Sequence, residues 1–289
     1  MTSELRYVLH MKPSGPVLMI LAQIAFTIMV VFVKIARQEL GTFDVAFWRA
    51  IIAVPFLMFL YRNLSWNIQD RQSMVLRTGL GFGALCSFFA ATKGLSIADL
   101  SLISKIQPML VALLAPLILG KTERVSSRIW ILIAISMIGC SILLAPSLEV
   151  GSKYGLLALS AAIFSAHAHI FIRKLKGEHS GVVVLWFQLG SGILALLCCL
   201  LTAGSLVIPP YSLWFPLFIV GLSATIGQLL MTLAYKKNNA APIALASYIG
   251  PVFAVGADLI AFNVLPTANV YIGGSIVVLS GIALIKSQK

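Results

Sequence analysis

Apolar residues in this chain neither alternate nor fall into a single helical stripe; they run on in blocks separated by short polar punctuation. Ten blocks stand out, at residues 17–36, 43–61, 76–93, 98–119 and 128–145, then 154–173, 181–202, 212–235, 241–262 and 270–285. Each is close to the ~20 apolar residues that one helix needs to cross a bilayer. The connections are short. The longest, residues 62–75, carries Trp66, Gln69, Asp70 and Arg71 and reads as an interfacial stretch. Nothing between the blocks is long or polar enough for a separate soluble domain. The expected fold is therefore an all-α polytopic membrane protein. The first block, preceded by Arg6 and Lys12, is too long for a signal-peptide core and is followed by no small-x-small site, so it is expected to stay as the first span.

A repeat lies beneath the blocks. Residues 95–108 (LSIADLSLISKIQP) align with 238–251 (NNAAPIALASYIGP) at a fixed offset. Ala98 matches Ala241, Leu102 matches Leu245, Ser104 matches Ser247, Ile106 matches Ile249 and Pro108 matches Pro251. The blocks then divide five and five, as halves 1–146 and 147–289. An odd number of spans per copy turns the second copy upside down. The fold class becomes ten transmembrane helices as two inverted five-helix repeats, the arrangement of many carriers, with binding near the midplane where the repeats meet.

Composition agrees: 60% of residues are hydrophobic and only 10% charged, too few to cover a soluble surface. The net charge of +12 does not form a basic face for nucleic acid. With the N-terminus inside, the inside segments hold fifteen Lys and Arg residues, among them Arg62, Arg71, Arg77, Lys121, Arg124, Arg173, Lys174, Lys236 and Lys237. The outside segments hold Lys34, Arg37, Lys93 and Lys153. That bias predicts both termini in the cytoplasm and an inner-membrane location. The four cysteines lie inside apolar runs without CxxC spacing, so neither a disulfide nor a metal site is expected. Gly120-Lys121-Thr122 imitates the end of a Walker A motif, but Ala115 stands where its first glycine belongs and an apolar span precedes it. No nucleotide, cofactor or metal is expected. The partners are a small-molecule substrate and the lipid bilayer, and the sequence is compatible with a monomer or a homodimer.

On these motifs the chain resembles the drug/metabolite transporter superfamily, in its ten-span branch of two EamA domains. The resemblance is carried by FDVAFWR (43–49), ADLSLISKIQP (98–108), LILGKTE (117–123) and Met137-Ile138-Gly139, and in the second copy by APIALASYIGP (241–251). The second copy departs from the pattern at 263–266, NVLP, where the Gly-x-x-Glu ending is lost. The resemblance implies a secondary carrier, often an exporter of amino acids or other small metabolites, that uses no ATP.

Among single residues Lys105 is the most informative, because a charge near the centre of a span costs roughly 2.5–3.5 kcal/mol on insertion scales. Ser101, Lys105 and Pro108 share a helical face, and Tyr248 and Pro251 hold the matching places in the second copy. Lys105 either lines a central cavity with Tyr248 and attracts an anionic group, or is a buried structural lysine. Pro108 and Pro251 are candidate hinges or simple packing kinks. Asp258 is a candidate coupling carboxylate or a wetted helix-end group. Gln228, Thr232 and Tyr235 share an inward face. His167 and His169 point to opposite sides of their helix, so they form no metal pair, and His167 is kept as a cavity candidate. Trp48 is a further cavity candidate, while Arg49 beside it reads as a packing anchor. Gly79 and Gly83 form a GxxxG spacing for close helix contact.

The functional expectation is an alternating-access secondary transporter of a small metabolite, an amino acid or related compound, most simply an exporter. The alternatives are uptake or exchange of a nucleoside-like metabolite such as S-adenosylmethionine, and a channel or structural subunit. An enzyme is not expected, since no HExxH and no paired intramembrane aspartates are present.

Overall fold

The computed structural model describes residues 13–95, 97–144, 152–262 and 268–287. These residues are helical apart from short turns. The helices are α1 (Gly15–Ala36), α2 (Thr42–Leu60), α3 (Arg71–Ala91), α4 (Ile97–Ser104), α5 (Ile106–Leu119) and α6 (Ser127–Leu144) in the first half. The second half holds α7 (Lys153–Lys174), α8 (Ser180–Ala203), α9 (Trp214–Lys237), α10 (Ala240–Ala246), α11 (Gly250–Phe262) and α12 (Ala268–Ser287). Among the described residues eight helical stretches are long and apolar enough to cross a membrane, and Ser127–Ile142 and Tyr271–Lys286 are shorter apolar helices.

Local chemistry starts these helices. Pro16 stands at the first positions of α1, where its missing N–H costs nothing. The Asp44 carboxylate accepts the Gly41 N–H at 3.1 Å and, from the far end of α8, the Val207 N–H at 2.9 Å. The Asp70 carboxylate caps α3 by accepting the Ser73 N–H at 3.0 Å, a bond that holds its pKa below the ordinary carboxylate value. Because of this cap α3 begins at Arg71, five residues before the expected start of the third span. Trp66 closes the remaining loop, donating from Nε1 to the Tyr61 carbonyl at 3.1 Å and accepting Trp186 Nε1 at 2.7 Å.

The halves interlock instead of standing side by side. α1 packs along α9 and α3 along α7; α2 packs against α8 and α6 against α12. Exchanging the halves turns the α1–α9 and α3–α7 pairings into each other and returns the other two to themselves, as a two-copy fold requires. The two largest buried clusters among the described residues follow. One gathers Met19, Ala22, Ala115, Ile170, Tyr235 and Tyr248, and the other Val33, Val45, Phe89 and Leu217.

The fourth and ninth spans, in which Pro108 and Pro251 are candidate hinges or packing kinks, are both broken. α4 ends at Ser104, Lys105 stands between, and α5 starts at Ile106. In the second half α10 ends at Ala246, Ser247–Ile249 form one 3-10 turn, and α11 starts at Gly250. Proline explains the position of each break. It supplies no N–H to the carbonyl four residues earlier and clashes with it. Pro108 thereby frees the carbonyl of Ser104, and Pro251 that of Ser247. Each proline then sits in the first turn of the following helix, where it is tolerated.

Candidate functional site

The two breaks meet. Lys105 Nζ donates to the freed Ser247 carbonyl at 2.8 Å, and the Tyr248 hydroxyl donates back to the Lys105 carbonyl at 3.0 Å. Equivalent residues of the two copies thus tie the spans to each other across the centre. On one side of this crossing lies a cavity of about 220 Å³. Its wall takes Gln23 and Thr27 from α1, Arg49 from α2, Arg77 and Gly81 from α3 and Ser101 from α4. Lys105, Gln107, Ser165, His169, Phe187, Gln228 and Gly250 also belong to the lining.

Three cations reach this cavity although they are almost wholly buried: Arg49 and Arg77 are 2% exposed and Lys105 is 6% exposed. Among the described residues their partners are neutral. Arg49 donates from Nη2 to the Gln188 side-chain oxygen, and Gln188 in turn donates to Thr225 Oγ1 at 3.4 Å. Arg77 donates from Nη2 to Gln228 Oε1 at 2.8 Å. The Phe187 ring attracts both guanidinium groups, with Cζ of Arg77 3.9 Å and Cζ of Arg49 5.4 Å from its centroid. The Nε groups of Arg49 and Arg77 are buried with no hydrogen-bond partner. Among the described residues no carboxylate lines the cavity. Two glycines make the crowding possible. A Cβ on Gly81 would collide with the Arg77 guanidinium, and one on Gly250 would lie 3.0 Å from Lys105 Nζ and 2.7 Å from Gln23 Oε1.

A histidine completes one wall. Gln107 Nε2 lies 2.8 Å and the Tyr235 hydroxyl 3.1 Å from Nδ1 of His169. The other ring nitrogen, Nε2, lies 3.4 Å from Ser165 Oγ, so both nitrogens of His169 have polar neighbours.

Of the residues singled out in the sequence, Lys105, Ser101 and Gln228 line this cavity. Tyr248 lies behind the crossing and faces a separate, apolar pocket of about 200 Å³ with Pro16, Ile20 and Ile285. Thr232 and Tyr235 are buried on α9 behind the wall, and Tyr235 reaches the site through His169. The cavity histidine is His169; His167 turns away, its Nδ1 2.9 Å from the Ile163 carbonyl of its own helix. Trp48 packs edge-on against Trp214 and donates to the Val207 carbonyl at 3.0 Å, away from the cavity. Pro108 and Pro251 place the breaks without entering the wall. The Asp258 side chain lies outside the described residues. Gly79 has no neighbour within 4 Å of a built Cβ, and Gly83 meets Phe164. Residues that sequence reasoning missed are Arg77, counted there as an inside-facing anchor, Arg49, taken as packing, and His169, Gln107 and Phe187. The Arg77–Gly81 spacing was the available signal: a glycine one turn beyond a cation leaves room for its head group.

The family model for EamA-like transporters matches the chain twice, over residues 13–145 and 152–286. The chain belongs to the EamA-like transporter family. Like other EamA-like transporters it is a multi-pass membrane protein, and it is a transporter of small molecules. The pseudopaline exporter of Pseudomonas aeruginosa (strain UCBPP-PA14) is 28% identical over 98% of this chain and 99% of the relative. The S-adenosylmethionine uptake transporter of Rickettsia bellii (strain RML369-C) is 26% identical over 89% of this chain and 88% of the relative. One crystal structure, 20% identical in sequence, matches with a TM-score of 0.74, covering 93% of this chain and 99% of that one; the likeness is one of fold.

Proposed function

We propose that this EamA-like protein is a secondary carrier of the inner membrane that moves a small metabolite, an amino acid or related compound, by alternating access, with the central cavity as its substrate site. In this reading the chain crosses ten times. The fourth and ninth spans each count once despite their breaks, and α6 and α12 serve as the fifth and tenth. The halves are 1–146 and 147–289, inverted relative to each other, with both termini cytoplasmic. The observation that carries the proposal is the convergence of Arg49, Arg77 and Lys105 on one cavity between two broken spans. Unwound backbone at membrane depth is tolerated only where protein buries it or it lines a cavity, and buried charge at depth marks a substrate path.

The basic end of the bundle is tied shut. Arg173 Nε lies 2.7 Å from Glu123 Oε1, its Nη atoms donate to the Tyr235 and Lys236 carbonyls and to Asn239, and Glu123 Oε2 accepts the Ala240 N–H at 2.7 Å. The cavity wall reaches Phe89, two residues from the opposite end of α3. With the basic end cytoplasmic, the closed end is the inner one. Export is favoured by the relative named as an exporter. Uptake of S-adenosylmethionine is disfavoured, because its sulfonium would meet three cations. Purified protein in vesicles is expected to show saturable counterflow, lost in Lys105→Ala at normal expression. Linear, non-saturating conductance would assign a channel instead.

A further inference from the structure

We propose that the solute is a small molecule with at least two anionic groups, carboxylates or phosphates, one engaged by the Arg49–Arg77 pair and another by Lys105. The proposal rests on reading the cavity as the carrier's substrate site and narrows what that site takes.

The argument is one of charge balance. Buried charges in proteins are paired, because an isolated ion in a low-dielectric interior costs several kcal/mol even after relaxation. Here three cations share one cavity, and among the described residues every partner they have is a neutral amide, carbonyl or aromatic ring. Neutral acceptors soften burial but cancel no charge. Among the described side chains, four carboxylates are engaged elsewhere and Glu39 is exposed. Glu123 is held by Arg173, Asp44 by the Gly41 and Val207 amides, Asp70 by Ser73, and Glu178 by the Gln69 and Asp70 amides. A zwitterionic amino acid, or any monocarboxylate, leaves at least two of the three cations unmatched; a dianion leaves one.

The donor geometry agrees. Both guanidinium groups stand over the Phe187 ring, and each keeps an unpartnered, buried Nε–H. The edge of a guanidinium is where a carboxylate or phosphate binds with two parallel hydrogen bonds. Gly81 and Gly250 keep the Arg77 and Lys105 head groups clear of backbone-borne side chains. The volume, about 220 Å³, exceeds the ~150 Å³ cavity that takes benzene but suits a compact solute, not a chain or a nucleotide.

The test is thermal unfolding of purified wild-type protein at pH 7 and constant ionic strength, with glutarate, citrate, 3-phosphoglycerate, acetate and leucine. Glutarate, citrate or 3-phosphoglycerate is expected to stabilise well beyond acetate and leucine. A stronger shift with the first two assigns carboxylates, and a stronger shift with 3-phosphoglycerate assigns a phosphate as one of the two groups. Arg77→Gln is expected to weaken the apparent affinity at least tenfold. It is also expected to leave the ligand-free protein as stable as wild type or more so, since it removes an unmatched charge. Lys105→Gln is the second variant and is expected to behave alike. The proposal is overturned if leucine or acetate stabilises as well as the dianions, if no dianion stabilises, or if both variants keep wild-type affinity. Loss of ligand-free stability by several degrees in both variants also overturns it. In those cases saturable counterflow of a neutral or zwitterionic solute would leave the carrier reading standing, whereas absence of counterflow for any solute would remove that reading too.

Discussion

Two clusters of buried cations, one at the basic end of the bundle and one at its centre, show how differently a fold can treat the same side chain. Arg173 is matched on all sides: a carboxylate, two backbone carbonyls and an asparagine oxygen. Its partner Glu123 is equally occupied, bonded to Arg173 and to the first amide of α10. Arg49 and Arg77 are more deeply buried, yet each has one neutral amide and an unpartnered Nε. The first cluster fastens α5, α7, α9 and α10 together. The second gathers charge with no carboxylate among the described residues to match it, and in the proposed reading the solute supplies the match.

The largest effect expected follows from breaking the matched cluster. Glu123→Gln strands Arg173 and should lower stability by about 3–5 kcal/mol, as for other buried pairs that lose one partner. Thermal unfolding in detergent measures it, and adding Arg173→Met should recover much of the loss, because the two sites are coupled. A cost below about 1 kcal/mol would mean that this end is not held by the pair.

A smaller effect is expected from Gly250→Ala at the central cluster. The new Cβ presses on the flexible ends of Gln23 and Lys105, so folding should survive with a change of under ~1 kcal/mol. Lys105 is displaced from the Ser247 carbonyl, and transport in vesicles should fall several-fold. Full activity would show that the position of Lys105 does not matter.

The smallest effect concerns the basic end and pH. His179 caps α8 by accepting the Gly181 N–H on Nδ1 at 3.2 Å. Burial, and then the nearby charge of Lys236, hold its pKa below the ordinary imidazole value. The neutral ring is therefore the form the fold prefers. Its contribution is complete above the ordinary value near 6.5 and fades as pH falls through it towards the lower folded value. The effect is on the order of 0.5 kcal/mol, the lower range for a cap. His179→Asn, which can still cap, should flatten that part of the stability–pH curve; an unchanged curve would place the titrating group elsewhere.

Much of this molecule is legible in its sequence, for a physical reason. The bilayer imposes length and apolarity on every span, so the helices announce themselves, and the matching LysIleGlnPro and TyrIleGlyPro segments reveal the two copies. The breaks in the fourth and ninth spans are less legible. Proline marks their neighbourhood, but each break falls three or four residues earlier, at the carbonyl that proline leaves free. The site is legible only at Lys105, Ser101 and Gln228. Arg77 looks like an interfacial anchor because sequence distance from a span's edge does not reveal that Asp70 starts the helix early and draws Arg77 a turn and a half inside. Tyr248 matches Lys105 in the repeat, but equivalence between inverted copies puts it on the other side of the crossing. His169 and His167 are alike in sequence, and only helix rotation against α3 and α9 selects one.

The account turns on whether the unmatched central charge serves a solute. Counterflow of labelled citrate and glutarate, with labelled leucine alongside, in vesicles of wild-type protein and of Arg77→Gln tests this most directly. The account predicts saturable counterflow of citrate or glutarate by wild type. It also predicts loss of at least nine-tenths of that flux in Arg77→Gln, with the variant folded and unfolding no earlier than wild type. Wild-type flux through folded Arg77→Gln, or a variant that fails to fold as Glu123→Gln is expected to, would contradict it.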